Sequence, residues 1–67
     1  MERKTVRQLR QERGWTQLEV AYRVRASMST IVNLETGKHQ PRMDLAQRLA
    51  ELFEVPLDAI AWGKSAT

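Results

Sequence analysis

Residues 16–37, TQLEVAYRVRASMSTIVNLETG, contain the pattern that decides the fold. Thr16 and Glu19 have the spacing of a capping box, in which the hydroxyl accepts the backbone N–H three residues on and the carboxylate reaches back. This spacing predicts a helix over residues 17–24. Ser27 is a favourable N-cap for a further helix, which Gly37 can end. The connection of about three residues between them is too short for an antiparallel pair, so the helices are expected to cross steeply.

A helix is also predicted before this segment. Thr5 and Gln8 form another capping box, and Val6 and Leu9 follow at helical spacing. Gly14 can adopt the positive φ that often ends a helix. We therefore expect a first helix over residues 6–13.

Two helices are predicted after residues 16–37. For the fourth helix of the chain, Pro41 marks the start and a wide apolar face continues to about residue 53. A short fifth helix is expected from Pro56 through Ala61. Because no strand-like alternation is present, the prediction is an all-α, compact five-helix domain over residues 1–67. Its core is expected at about residues 5–62, with 63–67 as a frayed tail.

Composition excludes several classes of protein. A chain of 67 residues has room for one core, and 42% apolar residues are enough to form it. No cysteine is present, which excludes disulfides and thiolate metal sites. Charges through the first twenty residues argue against a signal peptide, and the longest apolar run, Ala59 to Trp62, is far too short for a membrane span. We expect a cytoplasmic protein that does not act at a membrane.

Catalysis is not expected. The one histidine, His39, lies in a polar stretch, and the carboxylates are scattered singly along the chain. No nucleophile elbow, phosphate-cradling glycine loop or cluster of metal ligands is recognisable. The sequence therefore predicts no catalytic residue, no metal and no cofactor, with His39 as a loop residue that could at most contact a phosphate.

The charge is unevenly distributed along the chain. Residues 1–42 hold nine Lys/Arg against four Asp/Glu, a balance of +5, whereas residues 43–67 hold two against four, a balance of −2. A basic half of this kind favours an anionic partner, with nucleic acid ahead of a membrane or an acidic protein. A solvated, arginine-rich surface explains the charge alone equally well.

Many positions together resemble one family. They are Leu9, Arg10, Gly14, Thr16, Gln17, Glu19, Ala21, Ser27, Ser29, Thr30, Ile31, Leu34, Glu35, Gly37, Lys38, Pro41, Leu49 and Ala50. This set resembles the phage repressor and Cro type of helix-turn-helix domain, the XRE-like family, over residues 6–61. The resemblance implies a lambda-repressor-like fold that binds double-stranded DNA as a homodimer, with the third helix in the major groove.

The same resemblance implies roles for individual residues. Base reading is assigned to Ser27, Met28, Ser29, Val32 and Asn33. Phosphate binding is assigned to Gln17, Arg10, Thr36, Lys38, Arg42 and Arg25. Alternatives remain open: Gln17 is an ordinary polar residue at a helix start, Met28 and Val32 are buried or contact protein, and the loop cations are merely solvated. Arg10 is expected first to form a structural ion pair with Glu35.

The expected recognition helix has unusual chemistry. Residues 27–35 contain no Arg, Lys or Gln, the side chains best suited to bidentate contacts with guanine or adenine. Asn33 can pair with adenine, and Met28 and Val32 can contact thymine methyls. The sequence therefore predicts half-sites rich in A·T pairs.

Three positions depart from the family pattern. Arg25 stands where the family commonly has glycine in the turn, and a left-handed conformation there costs an L-residue about 1 kcal/mol or more. Arg42 and Pro56 replace the hydroxyl residues that usually cap the fourth and fifth helices. These departures predict a turn at Arg25 that is either strained or differently shaped, and two helix starts without a side-chain acceptor.

Members of the family that the chain resembles pair across a two-fold axis near the C-terminus. This resemblance implies a dimer interface at Leu57, Ala59, Ile60 and Trp62, with Leu45 and Leu52 as contributors. The alternative is that they complete the core. The function predicted is a transcriptional regulator, more specifically a repressor, on a pseudo-palindrome with half-sites about one helical turn apart. An antitoxin-like module with a protein partner is the other candidate. RNA binding ranks last, because Trp15, Tyr22, Phe53 and Trp62 are not clustered in sequence as a stacking platform.

Overall fold

The computed structural model describes residues 3–62. Strand β1 (Lys4–Thr5) leads into four helices, α1 (Val6–Glu12), α2 (Gln17–Val24), α3 (Met28–Thr36) and α4 (Met43–Phe53). A 3₁₀ turn (Leu57–Ala59) and strand β2 (Ile60–Ala61) follow. The expected frayed tail at 63–67 lies outside the described residues.

The first three helices begin at the residues that the sequence predicts, and hydrogen bonds at their N-caps explain why. The Thr5 and Thr16 hydroxyls accept the N–H groups of Gln8 and Glu19, and both capping boxes are complete. The Ser27 hydroxyl accepts the Thr30 N–H at 3.1 Å. Arg42 and Pro56 provide no side-chain acceptor, as predicted. The starts of α1, α2 and α3 are thus set by hydrogen bonds within three residues of each N-cap.

One cluster of apolar side chains unites the helices. Its members are Val6, Leu9, Val20, Ala21, Val24, Ile31, Leu34, Leu45, Leu49, Ala50, Phe53 and Ile60. They come from all four helices and from β2, so α2 and α3 are held at their mutual angle by a shared core.

The predicted fifth helix is wrong. Only Leu57–Ala59 forms a helical turn, of the 3₁₀ type, and Ile60 then becomes extended with φ −103° and ψ 131°. The extended chain pairs in parallel with β1, placing Lys4 opposite Ile60 and Thr5 opposite Ala61. This geometry buries Ile60 to 1% exposure. The domain is all-α in its architecture, as predicted, but residues 3–62 form four helices rather than five, because residues 60–61 gain backbone pairing and core burial by extending.

Two helices end on a left-handed residue that is not glycine. Arg25, after α2, has φ 59°, so of the two alternatives for this turn the strained one is observed. Glu54, after α4, has the same φ, which was not predicted. The backbone carbonyls that directly precede Arg25 and Glu54 each accept a hydrogen bond from an arginine in another part of the fold. Arg48 Nη1 donates to the Val24 carbonyl at 2.8 Å, and Arg13 Nη2 donates to the Phe53 carbonyl at 2.8 Å. Both strained helix ends are therefore joined to another part of the fold.

Candidate nucleic-acid interface

The first turn of α3 is exposed on one side and buried on the other. Ser27, Met28 and Ser29 face solvent, and Met28 is 46% exposed. Ile31 and Leu34 lie in the core at 0% and 5% exposure. The alternative of a buried Met28 is therefore wrong. Ile31 and Leu34 anchor the helix in the core, while its N-terminal turn remains exposed and accessible to a partner.

Ser27 has a structural task besides its predicted base contact. Its hydroxyl caps α3 and also lies 2.8 Å from the Thr30 hydroxyl. These bonds hold Ser27 in place, and they thereby fix the start of α3 at Met28 and Ser29. Its own base contact remains a prediction.

Val32 and Asn33 are half-buried along the flank of α3. Asn33 lines a cleft shared with residues 39–42 and the start of α4. Its backbone carbonyl accepts the Lys38 N–H at 2.9 Å, closing the helix end. Within residues 3–62 no protein group hydrogen-bonds the Asn33 side-chain amide, so that amide keeps its capacity to pair with a base edge.

Exposed cations lie at both ends of α3. Arg25 precedes the helix, and Lys38 and Arg42 follow it. None of these three forms an ion pair within the described residues. Thr36, also exposed, donates its hydroxyl to the Asn33 carbonyl at 3.3 Å. This arrangement gives the surroundings of α3 a positive potential suited to phosphates.

The one charged residue of α3 is neutralised from α1. Arg10 Nε and Nη2 donate to the two carboxylate oxygens of Glu35 at 2.7 and 3.1 Å, and Nη1 donates to the Trp15 carbonyl at 3.0 Å. The side chains of Arg10 and Glu35 are 12% and 4% exposed. The predicted ion pair is confirmed. These bonds use three of the five N–H groups of the Arg10 guanidinium, so its additional phosphate role stays a prediction.

Gln17 joins this ion pair. Its side chain is half-buried, and Nε2 donates to Glu35 Oε1 at 3.0 Å. The sequence reasoning missed this contact, which links the start of α2 to the end of α3 across eighteen positions. No sequence pattern could have found it, since a hydrogen bond between distant residues leaves no periodicity.

Two further basic side chains stack on an aromatic ring. The guanidinium carbons of Arg23 and Arg13 lie 4.4 and 5.7 Å from the centre of the Trp15 ring, and Arg13 also lies over Phe53. Trp15 and Phe53 are in contact at 6.1 Å between ring centres, but Phe53 is buried to 1% exposure. This pair packs the turn between α1 and α2 against α4, and it provides no open platform for stacking bases.

The predicted dimer surface is only partly exposed. Ile60 and Leu45 belong to the core, so for these two the alternative of completing the core is right. Leu57, Ala59 and Trp62 are half-buried, and so is Leu52. Leu57 and Trp62 line a shallow groove with Met43, whose side chain is 64% exposed. The sequence did not predict a place for Met43 on this surface, because Met43 has the spacing of the apolar, core-facing side of α4.

No three histidine or acidic side chains among residues 3–62 come together in a way that could hold a metal ion. None of the helices in the same range is long and apolar enough to cross a membrane.

Comparison with known proteins agrees with this geometry. The helix-turn-helix domain family matches residues 4–62. An uncharacterised HTH-type transcriptional regulator of Archaeoglobus fulgidus is 35% identical over 69 residues, covering 92% of this chain and 99% of the relative. A second such protein of that organism is 36% identical over 58 residues, 87% of this chain and 82% of its own. One from Methanothermobacter thermautotrophicus is 44% identical over 48 residues, 72% and 70% of the two chains. The chain therefore belongs to the helix-turn-helix domain family.

Proposed function

We propose that this protein is a sequence-specific DNA-binding transcriptional regulator that inserts α3 into the major groove. The observation that carries the proposal is the exposed N-terminal turn of α3, together with exposed cations that precede and follow the helix and form no ion pair within residues 3–62. A helix presented in this way fits the groove of B-DNA, and the cations can bind the phosphates at its rims. The relatives described as transcriptional regulators support the same function.

Specificity is assigned to few side chains. Asn33 has an amide free for adenine, and the exposed Met28 offers an apolar surface to thymine methyls. Ser29 can donate to or accept from either kind of pair. Direct readout is therefore sparse and directed toward A·T pairs.

The protein is proposed to bind as a homodimer on a pseudo-palindrome, with half-sites about one helical turn apart. Met43, Leu57 and Trp62 provide the apolar surface for the two-fold contact. Met43→Glu tests this surface without emptying the core, because Met43 is 64% exposed. Sedimentation should show the wild type as a dimer on DNA and the variant as a monomer. Repression is the outcome we propose, since a bound dimer occludes the DNA it covers.

Selection of bound duplexes from a random DNA library tests the central proposal. The wild type should enrich one A·T-rich motif with two-fold symmetry. Asn33→Ala should lose discrimination at one base pair per half-site, worth about 1–3 kcal/mol, while its binding to scrambled DNA is unchanged. Failure of the wild type to enrich any motif would overturn sequence-specific binding, and equal loss on matched and scrambled duplexes would remove the base-reading role of Asn33.

A further inference from the structure

We infer that Glu35 is a positioning residue for DNA binding: it orients the side-chain amide of Gln17 toward the phosphate backbone. The inference rests on the proposed DNA-binding function and concerns the network that joins Arg10, Glu35 and Gln17. It assigns to the buried ion pair a second role beyond stabilising the fold.

The orientation follows from the chemistry of the two groups. A carboxylate only accepts hydrogen bonds, so the amide of Gln17 must turn its nitrogen toward Glu35. Nε2 carries two hydrogens, and the 3.0 Å bond to Glu35 Oε1 uses one of them. The second hydrogen remains available to a phosphate oxygen. An unrestrained glutamine would also sample the reverse orientation, which presents its carbonyl oxygen and repels a phosphate.

The carboxylate itself is held firmly. Oε2 accepts Arg10 Nε, and Oε1 accepts both Arg10 Nη2 and Gln17 Nε2. Its side chain is 4% exposed. Arg10 cancels the negative charge of Glu35, so the carboxylate can orient Gln17 without repelling DNA.

The backbone of Gln17 is restrained as well. Gln17 is the first residue of α2, directly after the complete capping box formed by Thr16 and Glu19. Its amide therefore extends from a fixed start, and Glu35 removes the remaining freedom of the side chain. Such preorganisation increases affinity because less side-chain entropy is lost on binding.

The test replaces the ion pair with apolar side chains of similar size, Arg10→Met together with Glu35→Met. This change keeps the net charge, and apolar replacement of a buried pair is often tolerated by the fold. The matched control is Lys4→Met with Glu12→Met, which removes an exposed ion pair that does not contact Gln17. Because a phosphate contact is independent of sequence, the probe is a fluorescent random-sequence duplex of about 30 base pairs, titrated over a series of NaCl concentrations.

We expect Gln17→Ala to weaken binding about tenfold and the double methionine variant to weaken it about threefold to tenfold. Neither should change the salt slope, since a neutral amide releases no counterion. In the Gln17→Ala background the double methionine change should cost nothing further. If the ion pair is purely structural, its replacement should affect only the melting temperature and should leave the affinity of the folded protein unchanged in both backgrounds, and that result would overturn the inference.

The outcomes separate this inference from the proposed function. If the wild type does not bind the duplex at low salt, both fail; if it binds and the double methionine variant binds equally well, only the positioning role fails. Should that variant not fold, NMR of the wild type decides. Addition of the duplex should shift one Gln17 amide proton strongly and the Glu35-bound proton little, whereas a Gln17 amide unmoved by DNA would contradict the inference.

Discussion

Arg25 combines backbone strain with an exposed positive charge, and Arg25→Gly is expected to change stability and DNA binding in opposite directions. Its φ of 59° and ψ of 44° lie in the left-handed region, where the Cβ of an L-residue crowds the following carbonyl oxygen. Glycine has no Cβ and adopts this conformation without strain. The substitution keeps the backbone N–H bonds to Ala21 and Tyr22, since they involve main-chain atoms.

The magnitude follows from two opposing terms. Relief of the left-handed conformation contributes about 1–2 kcal/mol. The greater freedom of glycine in the unfolded chain costs about 0.5–1 kcal/mol. The exposed Arg25 side chain makes no hydrogen bond or ion pair within residues 3–62, so no contact is lost. The net gain is about 0.5–1 kcal/mol, which for a domain of this size corresponds to a rise in Tm of about 4–7 °C.

DNA binding should weaken in the same variant. Loss of one phosphate-binding cation should reduce the slope of log Kd against log salt by about 0.9. Glu54→Gly is the matched control, because Glu54 has the same φ of 59° but follows α4 and is not among the proposed DNA-binding residues. It should raise Tm by a similar amount without lowering the salt slope.

The assays are thermal unfolding by circular dichroism and anisotropy titration of a duplex. A fall in Tm for Arg25→Gly would refute the strain argument, particularly if Glu54→Gly fell as well. An unchanged salt slope would instead refute the phosphate role of Arg25 and leave the strain argument intact.

Three other substitutions test the remaining contacts. Arg10→Ala should lose about 3 kcal/mol or more in a urea titration, because it leaves Glu35 buried without its counter-charge; an unchanged Tm would contradict this. Arg48→Ala removes the donor to the last carbonyl of α2 and should cost about 1–2 kcal/mol, with Arg48→Lys recovering part of it in the same assay. The pKa of Asp44 is lowered, chiefly by a hydrogen bond from the Leu45 N–H and further by Arg48. Its contribution to stability should therefore be present above the ordinary carboxyl pKa of 3.8 and disappear as pH falls through the lower folded value, so Asp44→Asn should flatten this part of an acid titration.

The candidate site was predictable to the extent that it depends on local spacing. The Ser27 cap and the core positions Ile31 and Leu34 are visible in the sequence, and together they determine which turn of α3 is exposed. The partner of Gln17 was not predictable. The sequence also could not predict that Ile60 is in the core while Met43 is exposed, because both are apolar residues at the positions of predicted helices.

The sequence by itself determined the starts of α1, α2 and α3, because their caps bond within three residues, and it determined α4 through an apolar stripe that repeats at the helical period. The resemblance to the family also marked Arg25 as a position that commonly holds glycine, and this position is left-handed in the structure. Only the tertiary structure decided that residues 60–61 extend and pair with 4–5. A strand of two residues has no period of its own and forms only when another part of the chain supplies its hydrogen bonds. The same holds for the bond between Gln17 and Glu35, whose two residues meet only after three helices have packed around one core.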